Sequence, residues 1–266
     1  MARPNTHPPP NTHHPEPKDL PMLHQHTLDQ LRGLRLDGMI AALNDTAMQA
    51  SADGLPFDQR LALLVQREID WRSGKRVARL LKNAKLKLSG ACVEDIDWRA
   101  GRGLDRHLVT ALAQGDWIRH GRQVLITGAT GCGKTWLACA LAQQAARQGF
   151  TVLYVRATRL LQELQVAHGD GSFGRRLAAL AKLDLLVLDD LAIAPIAAQE
   201  RQDLLELLDD RAGSRSTLIT SQLPTTAWHE WLSEPTIADA IMDRLLHSAH
   251  TIALKGESLR RGNPQA

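Results

Sequence analysis

Val124-Leu-Ile-Thr-Gly-Ala-Thr-Gly-Cys-Gly-Lys-Thr-Trp-Leu137 is an apolar run that breaks into a glycine-rich loop and then becomes apolar again. Within it Gly128, Ala129, Thr130, Gly131, Cys132, Gly133, Lys134 and Thr135 fit G-x-x-x-x-G-K-[ST]. Val124 to Thr127 reads as a strand entering the loop, and a helix begins near Lys134. That context separates the motif from an ordinary glycine-rich turn. The glycines let backbone N–H groups point inward, and the helix N-terminus adds its positive end. Such a cradle takes the phosphates of ATP. Lys134 is placed to reach the β- and γ-phosphates, and the Thr135 hydroxyl to ligate Mg²⁺.

Beyond the loop, short apolar runs alternate with helical stretches. The runs are Val124 to Thr127, Thr151 to Val155, Leu185 to Leu188, Thr217 to Thr220 and Thr251 to Leu254. Five strands spaced by helices predict an α/β fold, a parallel five-stranded sheet with helices on both faces. The run Leu185-Leu-Val-Leu-Asp-Asp190 is a continuous apolar strand, as expected of one buried on both sides, and it ends in two carboxylates. Strand C-termini face the ligand in such sheets. Asp189 is therefore a candidate to hold Mg²⁺, and Asp190 to polarise the attacking water.

The fourth strand ends in Ser221-Gln222, polar side chains able to hold that water or simply to close a strand. Further on, Arg244 shares a helix with Asp239 and Asp243. It can act as an arginine finger in a neighbouring subunit's site, or pair with either acid on its own surface.

Upstream, the pattern from Thr27 to about Lys87 is helical. Leu28, Leu31, Leu34, Met39, Ile40 and Leu43 recur at helical steps, with Gly33 and Gly38 as weak points. Asp53-Gly-Leu-Pro56 marks a turn. A second helix starts near Phe57, with Leu61, Leu64, Val65 and Ile69 on one face and Gly74 as a possible break. Residues 22–100 are expected to form a small helical domain, and 101–266 the ATPase domain, with Arg99 to Gly103 as connector. Between Arg60 and Lys87 stand nine Lys or Arg against two acids, although the whole chain is only +3. Helical steps bring Arg72, Lys75, Arg76, Arg79 and Lys82 near one face, with Lys85 just beyond. The stripe suits neutralisation of duplex DNA phosphates without base reading. Trp71 alone lies nearby, too little aromatic surface for stacking on single strands.

Residues 1–21 carry seven of the twelve prolines and read as a disordered tail. His7, His13 and His14 there follow no metal-site spacing. Cys92, Cys132 and Cys139 suggest no disulfide framework. No apolar run is long enough to span a membrane and no signal-type stretch opens the chain, so a cytoplasmic protein is expected. Trp228 and Trp231 read as core or as partner surface, and core is the expectation because large aromatics are usually well buried.

These residues together resemble the IstB family, the ATPase partners of the IstA transposase in bacterial insertion sequences. The resemblance covers most of the chain after the tail. It rests on Gly128 to Ala138, on Arg215-Ser-Thr-Leu-Ile-Thr-Ser-Gln-Leu-Pro224, on Trp228-His-Glu230 with Ala238 to Leu245, and on Leu254-Lys-Gly-Glu-Ser-Leu-Arg260. The helicase loader DnaC and the initiator DnaA are similar more distantly. The resemblance implies an AAA+ ATPase domain without a C-terminal lid. It also implies ATP-dependent self-assembly on DNA, an IstA-type transposase as partner, and Arg244 at the arginine-finger position. Relatives often carry Glu where this chain has Asp190, so slow hydrolysis, stimulated by assembly or DNA, is expected. A helicase loader of the DnaC type and a non-hydrolysing DNA-binding scaffold are the alternative readings. A Gly often stands where this chain has Ala192, and a small residue there is expected to suffice.

Overall fold

The computed structural model describes residues 19–45, 54–98, 102–256 and 258. Residues 1–18 of the Pro- and His-rich stretch, Asp53, positions 99–101 of the connector and Arg260 lie outside the described residues. The chain forms two compact units, Met1–Lys75 and Arg76–Ala266. The division falls inside a helix, not near residue 100. Ala84, Ala91 and Ile96 are buried in the core of the second unit, so residues 76–98 belong with the sheet.

The first unit contains α1 (Asp19–Gly33), α2 (Asp37–Asn44) and the first part of α3 (Phe57–Ala84). The break at Gly33 is where the sequence suggests it, whereas α3 runs through Gly74. Gly38 is not a weak point. A Cβ on it would sit 2.6 Å from Trp71 Cβ and 2.8 Å from the Arg67 carbonyl oxygen. Glycine here lets α2 lie against α3. The Glu68 carboxylate then accepts the N–H groups of Gly38 (2.7 Å) and Met39 (3.1 Å), capping α2 where Leu36 offers no polar side chain. Burial pushes the Glu68 carboxyl upward, but the bonds from Arg72, Met39 and Gly38 outweigh it and hold it below its usual range.

Gly38→Ala sets two effects against each other. Helix propensity favours alanine by about 1 kcal/mol, while overpacking costs about 1–3 kcal/mol. The clashing atoms are backbone and Cβ, which cannot swing away, so the variant is expected to melt earlier by circular dichroism. An unchanged or higher midpoint would mean that α2 and α3 are not in contact at this point. Of the apolar face expected on α3, Leu61, Val65 and Ile69 are exposed and Leu64 is half-buried, and Phe57 at the start of the helix is exposed as well.

The second unit holds α4 (Arg106–Ala113), α5 (Asp116–Arg119), β1 (Val124–Gly128), α6 (Lys134–Arg147), β2 (Val152–Arg156), α7 (Ala157–Gly169), α8 (Phe173–Ala181), β3 (Leu185–Leu191), α9 (Ala198–Arg211), β4 (Ser216–Ser221), α10 (Trp228–Leu232), α11 (Pro235–Leu246) and β5 (His250–Leu254). The five strands form one parallel sheet in the order β2-β3-β4-β1-β5. Side chains alternate across it and build two cores. Val124, Ile126, Leu185, Val187 and Leu218 meet α6 on one face. Leu125, Leu186, Leu188 and Ile219 meet α7, α8, α9 and α11 on the other. Trp228 lies in this second core, 1% exposed, while Trp231 is half-buried and donates to the Ala194 carbonyl.

Arg211, at the end of α9, is fully buried. Its guanidinium donates to the carbonyls of Leu180 (2.6 Å), Leu183 (3.0 Å) and Ser216 and to Thr217 Oγ1 (3.2 Å). It thereby ties the end of α8 to the start of β4. Burial, with Arg215 nearby, pushes its pKa down to about 10.

Candidate functional site

The loop between β1 and α6 has the expected form. Gly131 and Gly133 take φ of 84° and 99°, a backbone open to glycine and strained for other residues. Ser258 packs against this loop. Its Cα lies 3.1 Å from where a Cβ on Gly131 would sit, so this one residue of the C-terminal stretch meets the phosphate cradle. Lys134 is buried, 6% exposed as a residue, and its ammonium is held across the loop by the carbonyls of Gly128 (2.7 Å) and Ala129 (2.9 Å).

Strand β3 carries the acidic pair, and it is irregular there. Leu188 pairs with Ile219, but the next partners are Leu191 and Ser221, so β3 holds one residue more than β4 over this span. The bulge sets Asp189 and Asp190 opposite Thr220 alone. Asp190 takes φ 58°, and its N–H donates to Thr220 Oγ1 (2.9 Å), which itself donates to Asp189 Oδ1 (2.6 Å). Thr135 Oγ1 donates to the same carboxylate at 2.9 Å from Oδ1, which joins the phosphate loop to the acidic strand end. Asp189 is fully buried and Asp190 partly exposed. Ala192 takes φ 61°. Size is therefore not the only demand at that position, because a non-glycine residue in this region costs about 1–2 kcal/mol.

The polar pair after β4 divides. Gln222 is exposed and its Oε1 accepts from Thr130 Oγ1 of the loop at 2.8 Å. Ser221 is buried, and its hydroxyl donates to the Leu191 carbonyl and accepts from the Leu223 N–H. Its oxygen is thus engaged in local structure, leaving Gln222 as the side chain at the loop. Arg244 pairs with neither Asp239 nor Asp243. It donates to Asp209 of α9 and to the Ala240 carbonyl. The basic residues Arg76, Arg79, Lys82 and Lys85 are exposed, and none forms an ion pair among the described residues. Arg72 bonds Glu68 and Lys75 bonds Asp37, each side chain still 60% exposed.

A cavity of about 390 Å³ opens beside the loop. Ile96, Leu104, Trp136, Leu137 and Leu254 give it apolar walls, and Cys132 and Gly133 form its edge toward the phosphates. Sequence reasoning missed this pocket, because its walls come from a 3-10 turn, a connector, α6 and β5. It also missed Thr220 and Tyr154, whose hydroxyls meet Asp189 from other strands.

The donors suit the ligands that the motif implies. The loop N–H groups and Lys134 fit phosphates, the cavity has the size and apolar lining of a flat base, and the Thr135 hydroxyl with the Asp189 carboxylate are hard oxygens of the kind Mg²⁺ takes.

Comparison with known proteins agrees with this geometry. The sequence model of the IstB-like ATP-binding protein family matches residues 29–265. The ATP-binding protein of insertion sequence IS1162 from Pseudomonas fluorescens is 56% identical over 205 residues, 77% of this chain and 89% of that one. An insertion-sequence ATP-binding protein of Sinorhizobium fredii is 48% identical over 240 residues, covering 90% and 98% of the two chains. Among solved structures, the DnaC helicase loader superposes with a TM-score of 0.53 at 18% identity, over 62% of this chain and 97% of that one. The replication initiator DnaA, bound to a nucleotide analogue and single-stranded DNA, does so with 0.50 at 16% identity, over 63% and 50%. These two likenesses concern the fold.

Proposed function

The chain belongs to the IstB-like ATP-binding protein family, and on that footing we propose that it is an ATPase that assembles on duplex DNA and assists a transposase. One observation carries the reading: Thr135 of the phosphate loop bonds Asp189 at the end of β3, so the cradle and the acidic strand end form one site. In this site Lys134 meets the charge of the terminal phosphates. The cavity behind Cys132 takes the adenine. Thr135 and Asp189 are the residues that hold Mg²⁺, which when bound spreads the charge of the phosphates. Asp190 polarises the attacking water, and Gln222 orients it beside Thr130.

Arg244 serves a neighbouring copy's site in this reading, and it must first exchange Asp209 for phosphate. The basic face of α3 contacts DNA, with Arg76, Arg79, Lys82 and Lys85 in no ion pair among the described residues and Arg72 and Lys75 turning from their acids. The relatives named after insertion sequences support an IstA-type transposase as the partner.

Sedimentation of the full chain with ATP, Mg²⁺ and duplex DNA tests this reading, run beside phosphate release. Large DNA-bound particles that need ATP are expected. Their affinity should fall with salt at a log–log slope of roughly −5 per protomer, from about 0.9 for each of its six phosphate contacts. A monomer under every condition would overturn the assembly. Particles without phosphate release would make the protein a scaffold, and selective capture of a replicative helicase in place of the transposase would make it a loader.

A further inference from the structure

Asp189 is buried without a cationic partner among the described ion pairs, and its charge is met by hydroxyl groups. Thr135 and Thr220 supply two of them. The third is Tyr154, whose hydroxyl donates to Oδ2 at 2.5 Å. The motifs assign no role to this tyrosine. It stands on β2, an edge strand, opposite Val187, while Arg156 stands opposite Asp189. Tyr154 and Asp189 thus lie on the same face, on a diagonal too long for a serine or threonine to cross.

The ring itself is core, 8% exposed and packed in the cluster around α6. Phenylalanine would fill that space equally well, so the hydroxyl answers to Asp189. In a phenol–carboxylate contact of this length the phenol O–H is the donor and the carboxylate oxygen the acceptor. A carboxylate has about four lone-pair sites, and these three donors take most of them. With Oδ2 fixed by Tyr154 and Oδ1 by Thr220, the carboxylate cannot rotate away from Thr135.

We propose that Tyr154 is a positioning residue for the metal: its hydroxyl holds Asp189 in the orientation that, with Thr135, receives Mg²⁺. The proposal rests on the reading that Asp189 and Thr135 hold Mg²⁺ with ATP. It deepens that reading by placing part of the metal affinity in a strand that carries no motif.

The test uses the full chain and a fluorescent ATP analogue, titrated in EDTA and over a range of Mg²⁺. Tyr154→Phe is expected to bind the analogue in EDTA within about twofold of wild type. The Mg²⁺ concentration that half-saturates the metal-dependent gain should rise about tenfold or more, as for other groups that orient a metal ligand. A merely structural defect would lower binding in both conditions alike. Asp189→Asn run in parallel separates the two ideas. If it shifts the Mg²⁺ dependence and Tyr154→Phe does not, the role of Tyr154 is overturned. If neither shifts it, the magnesium reading itself falls. A second measurement needs no variant of Tyr154. The chain has one tyrosine, so protein grown with 3-fluorotyrosine gives a single fluorine resonance. Adding Mg²⁺ to the ATP-loaded protein should move that resonance, and should not move it in Asp189→Asn. A resonance that ignores Mg²⁺ in the wild-type background would also overturn the proposal.

Discussion

Lys134→Ala is expected to lower ATP turnover by about 100- to 1,000-fold, the usual loss when one preorganised donor to developing charge is removed. The residue is buried and its ammonium is already aimed across the loop, so it costs little reorganisation when phosphate arrives. Affinity for ATP should fall as well. A hydrogen bond to a charged group is worth about 1.5–3 kcal/mol, or roughly 10- to 100-fold in Kd. The fold should survive, because the two carbonyls that lose their donor sit on Gly128 and Ala129, at a loop open to solvent. Phosphate release, nucleotide titration and a circular dichroism melt on the same preparation check the three parts. Turnover within threefold of wild type would show that the loop is not the site of hydrolysis.

Arg211→Met is expected to cost about 2–4 kcal/mol of stability, the penalty of two orphaned buried carbonyls less the relief of an unburied charge. Two effects compete. Methionine relieves the expense of burying a guanidinium, the same expense that depresses the arginine's pKa. It also leaves the carbonyls of Leu180, Leu183 and Ser216 without their donor, and an orphaned buried acceptor costs about 1–3 kcal/mol. Leu183 is half-buried and can find water, but the bonds to Leu180 and Ser216 are buried. Orphaned carbonyls therefore outweigh relief. A lower urea midpoint at unchanged m value is the expected readout. An unchanged midpoint would mean that the carbonyls find other donors, water among them.

The sheet was legible because each strand is a run of apolar residues bounded by turns, and the phosphate loop because its chemistry needs glycines at fixed spacing. What the sequence did not disclose came through contacts distant along the chain. The run Leu185 to Asp190 reads as a strand that ends in its two acids, but nothing in it announces the bulge that sets both acids opposite Thr220, which accepts the Asp190 N–H. Ser221 and Gln222 look interchangeable by position, and contacts distant along the chain distinguish them: Ser221 is buried against Leu191, whereas Gln222 is exposed and takes the bond from Thr130. Arg244 suggests a partner on its own helix and finds one on α9. The boundary near residue 100 follows a glycine-rich stretch, whereas the packing of Ala84 and Ala91 puts it at residue 75. Helical and strand periodicities report which face of an element is apolar. They do not report which other element answers it, and the exposure of Leu61, Val65 and Ile69 makes the same point.

The alternation of the strands between two cores has a consequence for how damage accumulates. Leu125 and Ile126 are bonded neighbours, but the sheet stands between their side chains. Truncations at such adjacent positions remove contacts from separate sets of partners, so their penalties tend to sum. Truncations at Ile126 and Val187, sixty-one positions apart, open holes in the same packing and interact through shared neighbours. Epistasis in the second unit therefore follows the faces of the sheet and not the order of the chain, and a substitution on one face leaves its sequence neighbour nearly as free to vary as before.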